Sequence, residues 1–395
     1  MVRPYFLFFC LTIIIYSCTK PDQSEQATTQ IPAENIGVRP SQNIQKIDFT
    51  KTKETIVFGD SWSDYHFYAN NYIRMFADSS EQSILNTALI GTGSANMVAS
   101  AFSKMDTTRN QKNIIALCGF NDIRYSGATT EQLNFQRNAF RALIVNQFID
   151  KWRPAGDPDR FGGKFISFDR GLGVNFKTYY STWRKAAYTS SLNNVYLEYD
   201  FTGTNVGVSF VGQDTTAIRS YERPFGRWRV LIDGIEVDVP QIHQQTCGHT
   251  PNYLTQQIIF PYIKIYSGLT DGPHVLRLEP IDAGIKFVDF VFTLRDPSLV
   301  SPVAILKVPY MTQAGYSVDP SFNKANDAAI DQLNAAITEV RNEFISVNAE
   351  YSKKIRVINT ADYFDRTIDY LPDLVHPNAL GQIGLFNALK KHINY

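Results

Sequence analysis

Four short apolar runs constrain this chain most: TIVF at 55–58, IIALC at 114–118, VAILKV at 303–308 and KIRVI at 354–358. Each is rich in β-branched residues that do not alternate strictly with polar ones. A strand covered on one face alternates, whereas runs like these suit strands buried on both faces, as in parallel sheets flanked by helices. Helical patterns accompany them. In residues 323–344, Ala329, Leu333, Ala336, Val340 and Phe344 form one apolar stripe, with Asp319, Pro320 and Ser321 as start signals. The last helix is expected after Pro377, burying Ala379, Ile383, Phe386, Leu389 and Ile393. Strands alternating with helices predict an α/β sheet joined by crossover connections.

From 152 to 297 the rhythm changes. The segments VYLEYDF, VGVSFVG, RWRVLIDG, IIFPYIKIYS, HVLRLEP and IKFVDFVF alternate and are separated by Gly, Pro, Asn and Asp. They predict an all-β, jelly-roll-like sandwich inserted between two α/β parts, 51–151 and 298–395. VLIDGIEV reads as a hairpin turning at Asp233 and Gly234. Trp183, Trp228 and the tyrosines here suit either a sandwich core or platforms for sugar rings, core being the default.

The chain's 38 basic and 38 acidic residues cancel. A balanced, unclustered charge set offers no basic face for counterion release, so no nucleic-acid partner is expected. At the N-terminus, Arg3 precedes YFLFFCLTIII, too short for a stable membrane span but suited to an export signal. Ile15, Tyr16, Ser17 and Cys18 resemble a bacterial lipobox, in which the cysteine is lipidated and becomes the first mature residue, although Tyr16 is bulky for that motif. The expectation is a signal peptide over 1–17, a lipid anchor on Cys18 and a polar tether over 18–50, on the periplasmic side or the cell surface. An ordinary cleaved signal is the alternative. Cys118 and Cys247 stand far apart and lack metal-ligand spacing, so buried free thiols are expected. His243 and His249 flank Cys247 without a fourth ligand, and His66 and His274 carry no assigned role.

Ser61 follows the first predicted strand through Gly59 and Asp60, at the carboxyl end where open α/β sheets hold ligands. Asp373 and His376 sit three residues apart just before the last helix. If that loop packs beside Ser61, Asp373 can accept from His376 Nδ1–H, leaving Nε2 to take the serine proton. Donors for a developing oxyanion are available after the second run, at Gly119 and the Asn121 amide, and at Gly91 and Gly93. Asp122 is expected to brace the Asn121 loop.

Together these blocks resemble the SGNH or GDSL hydrolase superfamily, over about 54–151 and 299–395. Gly59-Asp60-Ser61 matches the first block, with Trp62 in place of the usual leucine. Asn86 and Gly91 match the spacing of the second, with Ala88 where glycine is common. Gly119-Phe120-Asn121-Asp122 matches the third, and Asp373, His376 and Pro377 the fourth. The resemblance implies a three-layer α/β/α, flavodoxin-like fold and no metal or organic cofactor. It also implies Ser61 as nucleophile, His376 as general base and acid, and Asp373 as its orienting partner. The Ser61 N–H, the Gly91 N–H and the Asn121 amide would form the oxyanion hole.

An exported hydrolase with a β-sandwich insert is similar to bacterial carbohydrate esterases, so an O-acetylated glycan is the expected substrate. A lipase or broad acyl-ester hydrolase is the second reading. A catalytically silent glycan-binding surface lipoprotein is a third, which the intact Ser61, His376 and Asp373 disfavour.

Overall fold

The computed structural model describes residues 44–65, 70–102, 112–164, 166–169, 185–189, 194–213, 226–242, 259–282 and 286–395. The expected signal, Cys18, His66, Trp183, His243, Cys247 and His249 lie outside the described residues.

All four apolar runs are strands: Glu54–Gly59, Asn113–Leu117, Val303–Leu306 and Ile355–Ile358. A fifth, Ser83–Asn86, has no apolar run to announce it because it lies at the sheet edge and stays partly exposed. The sheet is wholly parallel, with Ile56 opposite both Leu85 and Ile114, and Val303 opposite both Ile114 and Ile355. Numbered along the chain, its strands run 2-1-3-4-5 across the sheet, the flavodoxin-like order. The helices are α1 (Tyr72–Ser80), α2 (Ser94–Phe102), α3 (Phe120–Ser126), α4 (Thr130–Phe148), α5 (Gln313–Ser317), α6 (Asp327–Val347) and α7 (Ala379–His392). Right-handed crossovers put α1 on one face and, after the order reverses, α2, α4 and α6 on the other. The packing agrees: α1 lies against α7, while α4 lies between α2 and α6.

Two helix expectations need correction. The α6 stripe Ala329, Leu333, Ala336, Val340 and Phe344 is buried, but the helix starts at Asn326, whose Oδ1 accepts from Ala329 N at 2.9 Å. Asp319 instead caps a separate 3-10 turn, Pro320–Phe322. Both residues can cap, and the one adjoining the apolar stripe starts the long helix. On α7 and its C-cap, Leu389 and Ile393 are buried and Phe386 packs against the core as expected, but Ala379 is exposed, and the buried face also takes in Gly381, Gln382, Gly384, Leu385, Ala388 and His392. Gly381 and Gly384 lie against the Asp369 and Tyr363 carbonyls, where a Cβ would overlap. Close backbone approach, rather than side-chain size, selects that face.

Among the described residues from Ile149 to Leu294 there are two six-stranded antiparallel sheets. Between them pack Leu197, Tyr199, Val208, Phe210, Trp228, Val230, Leu276 and Val288. Trp228 is 2% exposed, a core residue that no sugar can stack on. Asp233 and Gly234 take positive φ of 52° and 79° between paired Ile232 and Ile235, the geometry of a type I′ hairpin. The back of one sheet is itself buried: Ile263, Phe290, Phe292 and Leu294 belong to the same core as α4, and Ile263 N donates to Asn138 Oδ1 at 3.2 Å.

The tether expected to reach residue 50 is tied down earlier. Ile47–Asp48 pairs in parallel with Ile393–Asn394, and Ile47 and Phe49 are buried. These large apolar side chains gain more from burial than the backbone loses in freedom.

Candidate active site

Strand order reverses between Glu54–Gly59 and Asn113–Leu117, the switch point where open α/β sheets leave a crevice. Ser61 stands at its mouth, 4% exposed, on a turn closed by Ser63 N donating to the Asp60 carbonyl at 3.1 Å. The turn folds back so tightly that a Cβ on Gly59 would lie 2.5 Å from Ser63 Oγ. Amides of Asn86 and Asn71 both donate to the Ser63 carbonyl, at 2.7 and 3.0 Å. Trp62 turns inward against Phe120, ring centroids 5.1 Å apart, and against Phe364. Asp60 is buried beneath the turn, and burial pushes its carboxyl up to about 7, with Asp122 adding in the same direction.

Its partners arrive on the loop before α7. His376 Nε2 lies 3.0 Å from Ser61 Oγ, and His376 Nδ1 lies 2.7 Å from Asp373 Oδ2. A carboxylate can only accept, so Nδ1 carries the hydrogen and Nε2 is left to accept the serine proton. Asp373 Oδ1 accepts from the N–H groups of Val375 and His376, both at 2.9 Å. Burial raises the Asp373 carboxyl, but the bonds from His376 and these amides outweigh it and hold it below the usual range.

The tight loop forces Leu374 to a positive φ of 60°, a backbone conformation that costs a branched residue on the order of 1 kcal/mol or more. What holds it there is local. Leu371 N donates to the His376 carbonyl and Leu374 N to the Leu371 carbonyl, both at 2.8 Å. Asn378 ties Ile368 and Tyr370 with its Nδ2 while its Oδ1 caps α7. Gly315 lies against the Leu374 carbonyl, where any Cβ would overlap. Gly315 and Asn378 were not singled out in the sequence; a cap-forming Asn after Pro377 was the available signal for the second.

Asn121 and Gly91 are placed on the loops flanking the crevice, and neither hydrogen-bonds Ser61. Asn121, 8% exposed, opens α3 and donates one amide hydrogen to the Thr92 carbonyl at 2.9 Å, leaving the other. Gly91 is exposed at a φ of 70° with open space around its missing Cβ. Gly93 instead lies against the Asp122 carboxylate, whose Oδ2 accepts from Ser94 N at 2.7 Å. Asp122 thus braces this loop. Cys118 is a buried free thiol, and burial pushes it well above the usual range. His274 is far from this chemistry in the chain, bonded to Asp233 and the Thr270 carbonyl at the hairpin.

No protein-family model and no curated protein matches this chain. Among solved structures it is similar to the porcine torovirus hemagglutinin-esterase, at 10% identity over 88% of this chain and 89% of that one, TM-score 0.38. It is similar to the infectious salmon anemia virus hemagglutinin-esterase at 13% identity over 88% and 80%, TM-score 0.32. A third is the family GH115 glucuronidase BtGH115A, at 18% identity over 38% of this chain, which spans 18% of that longer one, TM-score 0.24.

Proposed function

We propose that the chain is a serine esterase of the SGNH/GDSL type that removes acetyl groups from O-acetylated glycans. One observation carries this reading: the hydrogen-bonded series Ser61 Oγ, His376 Nε2, His376 Nδ1, Asp373 Oδ2, at 3.0 and 2.7 Å, at the switch point of a parallel sheet. Ser61 Oγ attacks the ester carbonyl as His376 takes its proton, and the oxyanion is met by the free Asn121 amide hydrogen, the Ser61 N–H and the Gly91 N–H. His376 then passes the proton to the leaving sugar oxygen. Water, activated by the same imidazole, releases acetate from the acyl-enzyme. Asp373 keeps the ring in the required tautomer and stabilises the imidazolium. Export and anchoring through a lipid on Cys18 belong to the same proposal.

The test is hydrolysis of aryl acetate, butyrate and octanoate by the protein from Ala27 onward, beside Ser61→Ala. Acetate should be preferred, and the variant should lose roughly 10⁴-fold or more in kcat. A preference for octanoate would move the reading to a lipase. Turnover independent of Ser61 would overturn the serine mechanism, and none at any length would favour a glycan-binding protein.

A further inference from the structure

Arg124 stands one helical turn beyond Asn121 in α3, on the same face of the helix as the amide that flanks the crevice. It is 6% exposed. Its guanidinium carbon sits 5.2 Å from the Phe120 ring centre and 5.3 Å from that of Phe322. The Phe322 turn is fastened there by Lys324 N donating to the Arg124 carbonyl at 3.0 Å. Aromatic faces attract the cation but accept nothing along its N–H edges. Nε is buried with no hydrogen-bond partner. Burial lowers the guanidinium below the usual arginine range, opposed by the charges of Asp319, Asp373 and Asp60. These carboxylates balance its charge from a distance, and Nε is left without an acceptor.

A buried charge with an unsatisfied donor is costly, and a planar fork of N–H groups is shaped for a carboxylate held in two places. The side of the site follows from the proposed chemistry. His376 returns its proton to the leaving oxygen, so the sugar lies toward His376 and Asp373. We propose that Arg124 recognises a carboxylate on the sugar portion of the substrate, making acidic, uronate-type glycans the preferred substrates of the Ser61 site. This rests on the esterase reading.

The test uses aryl acetate hydrolysis as reporter, with glucuronate or glucose added at equal concentration. Glucuronate should inhibit competitively and glucose should not. Its inhibition constant should rise about ten- to a hundredfold in Arg124→Gln, and less in Arg124→Lys, which keeps the charge and guards against a variant that merely misfolds. Equal inhibition by the two sugars in the unaltered protein, or undiminished glucuronate inhibition in Arg124→Gln, overturns the proposal. A third arm compares aryl hemisuccinate with aryl acetate. An Arg124-dependent preference for the hemisuccinate would put the carboxylate on the acyl side and likewise overturn it. Failure of the esterase reading would show separately, as absence of Ser61-dependent reporter turnover before any sugar is added.

Discussion

Ser61 owes any reactivity to what surrounds its hydroxyl, since an unassisted serine stays protonated at neutral pH. His376 supplies the base, and Asp373, although partly open to solvent, holds the ring through one hydrogen bond to Nδ1 while two backbone N–H groups of the same short turn fix its carboxylate. Asn121 is the separable part, with one amide hydrogen committed to Thr92 and the other unspent. Replacing Asn121 with Ala should lower kcat on aryl acetate about 10²–10³-fold with KM little changed, as loss of one oxyanion donor does. Steady-state kinetics would show it, and an unchanged kcat would reduce Asn121 to a brace for Thr92. The residues with local signatures were readable from the sequence: Asp373 and His376 lie three apart, and Ser61 ends an apolar run. Arg124 was not, because its meaning depends on Phe322, some two hundred residues later, and on the absence of a partner for its Nε.

The turn from Leu371 to Asn378 is the element on which the site's geometry rests. Its left-handed residue is Leu374 rather than glycine, and the neighbour that makes room for it is Gly315 at a distant place in the chain. Gly315→Ala should push the Leu374 carbonyl and lengthen the His376 to Ser61 hydrogen bond. Displacement near 1 Å costs on the order of 10²-fold in rate. Aryl acetate kcat should therefore fall about 10- to 100-fold, against a smaller change in melting temperature; a wild-type kcat would show that the turn adjusts without moving the imidazole. Strands and the α6 stripe were legible because burial on both faces and a 3.6-residue period are local patterns. The α7 face was legible only in part, at Leu389 and Ile393, because glycines that admit a neighbouring carbonyl look like weak helix formers in isolation.

Across the whole molecule, residues 44–395 form one compact unit, with the antiparallel sheets built onto α4 through Ile263, Phe290 and Phe292. The alternation in 152–297 announced a sandwich, but not that the back of one sheet would also be covered. The carboxyl end closes this unit, and there His392 is buried with its Nδ1 accepting from Arg356 at 3.1–3.2 Å. Burial, then the Arg356 charge, pushes its imidazole down to about 4. The unfolded chain takes up this proton near 6.5 and the folded one near 4. The stabilisation is therefore complete above about 6.5 and lost as pH falls toward 4. Melting temperature followed from pH 7 to 5 should drop more steeply in the unaltered protein than in His392→Gln, which keeps an acceptor for Arg356 but does not titrate. Parallel curves would contradict this.

The central claim is tested most directly by covalent labelling with a fluorophosphonate, read by intact mass and peptide mapping. The account predicts one adduct, on Ser61, abolished in Ser61→Ala and strongly slowed in His376→Ala, which leaves the hydroxyl without its base. An adduct on another residue that accompanies loss of ester hydrolysis, or ester turnover in a protein that takes no label on Ser61, would contradict it.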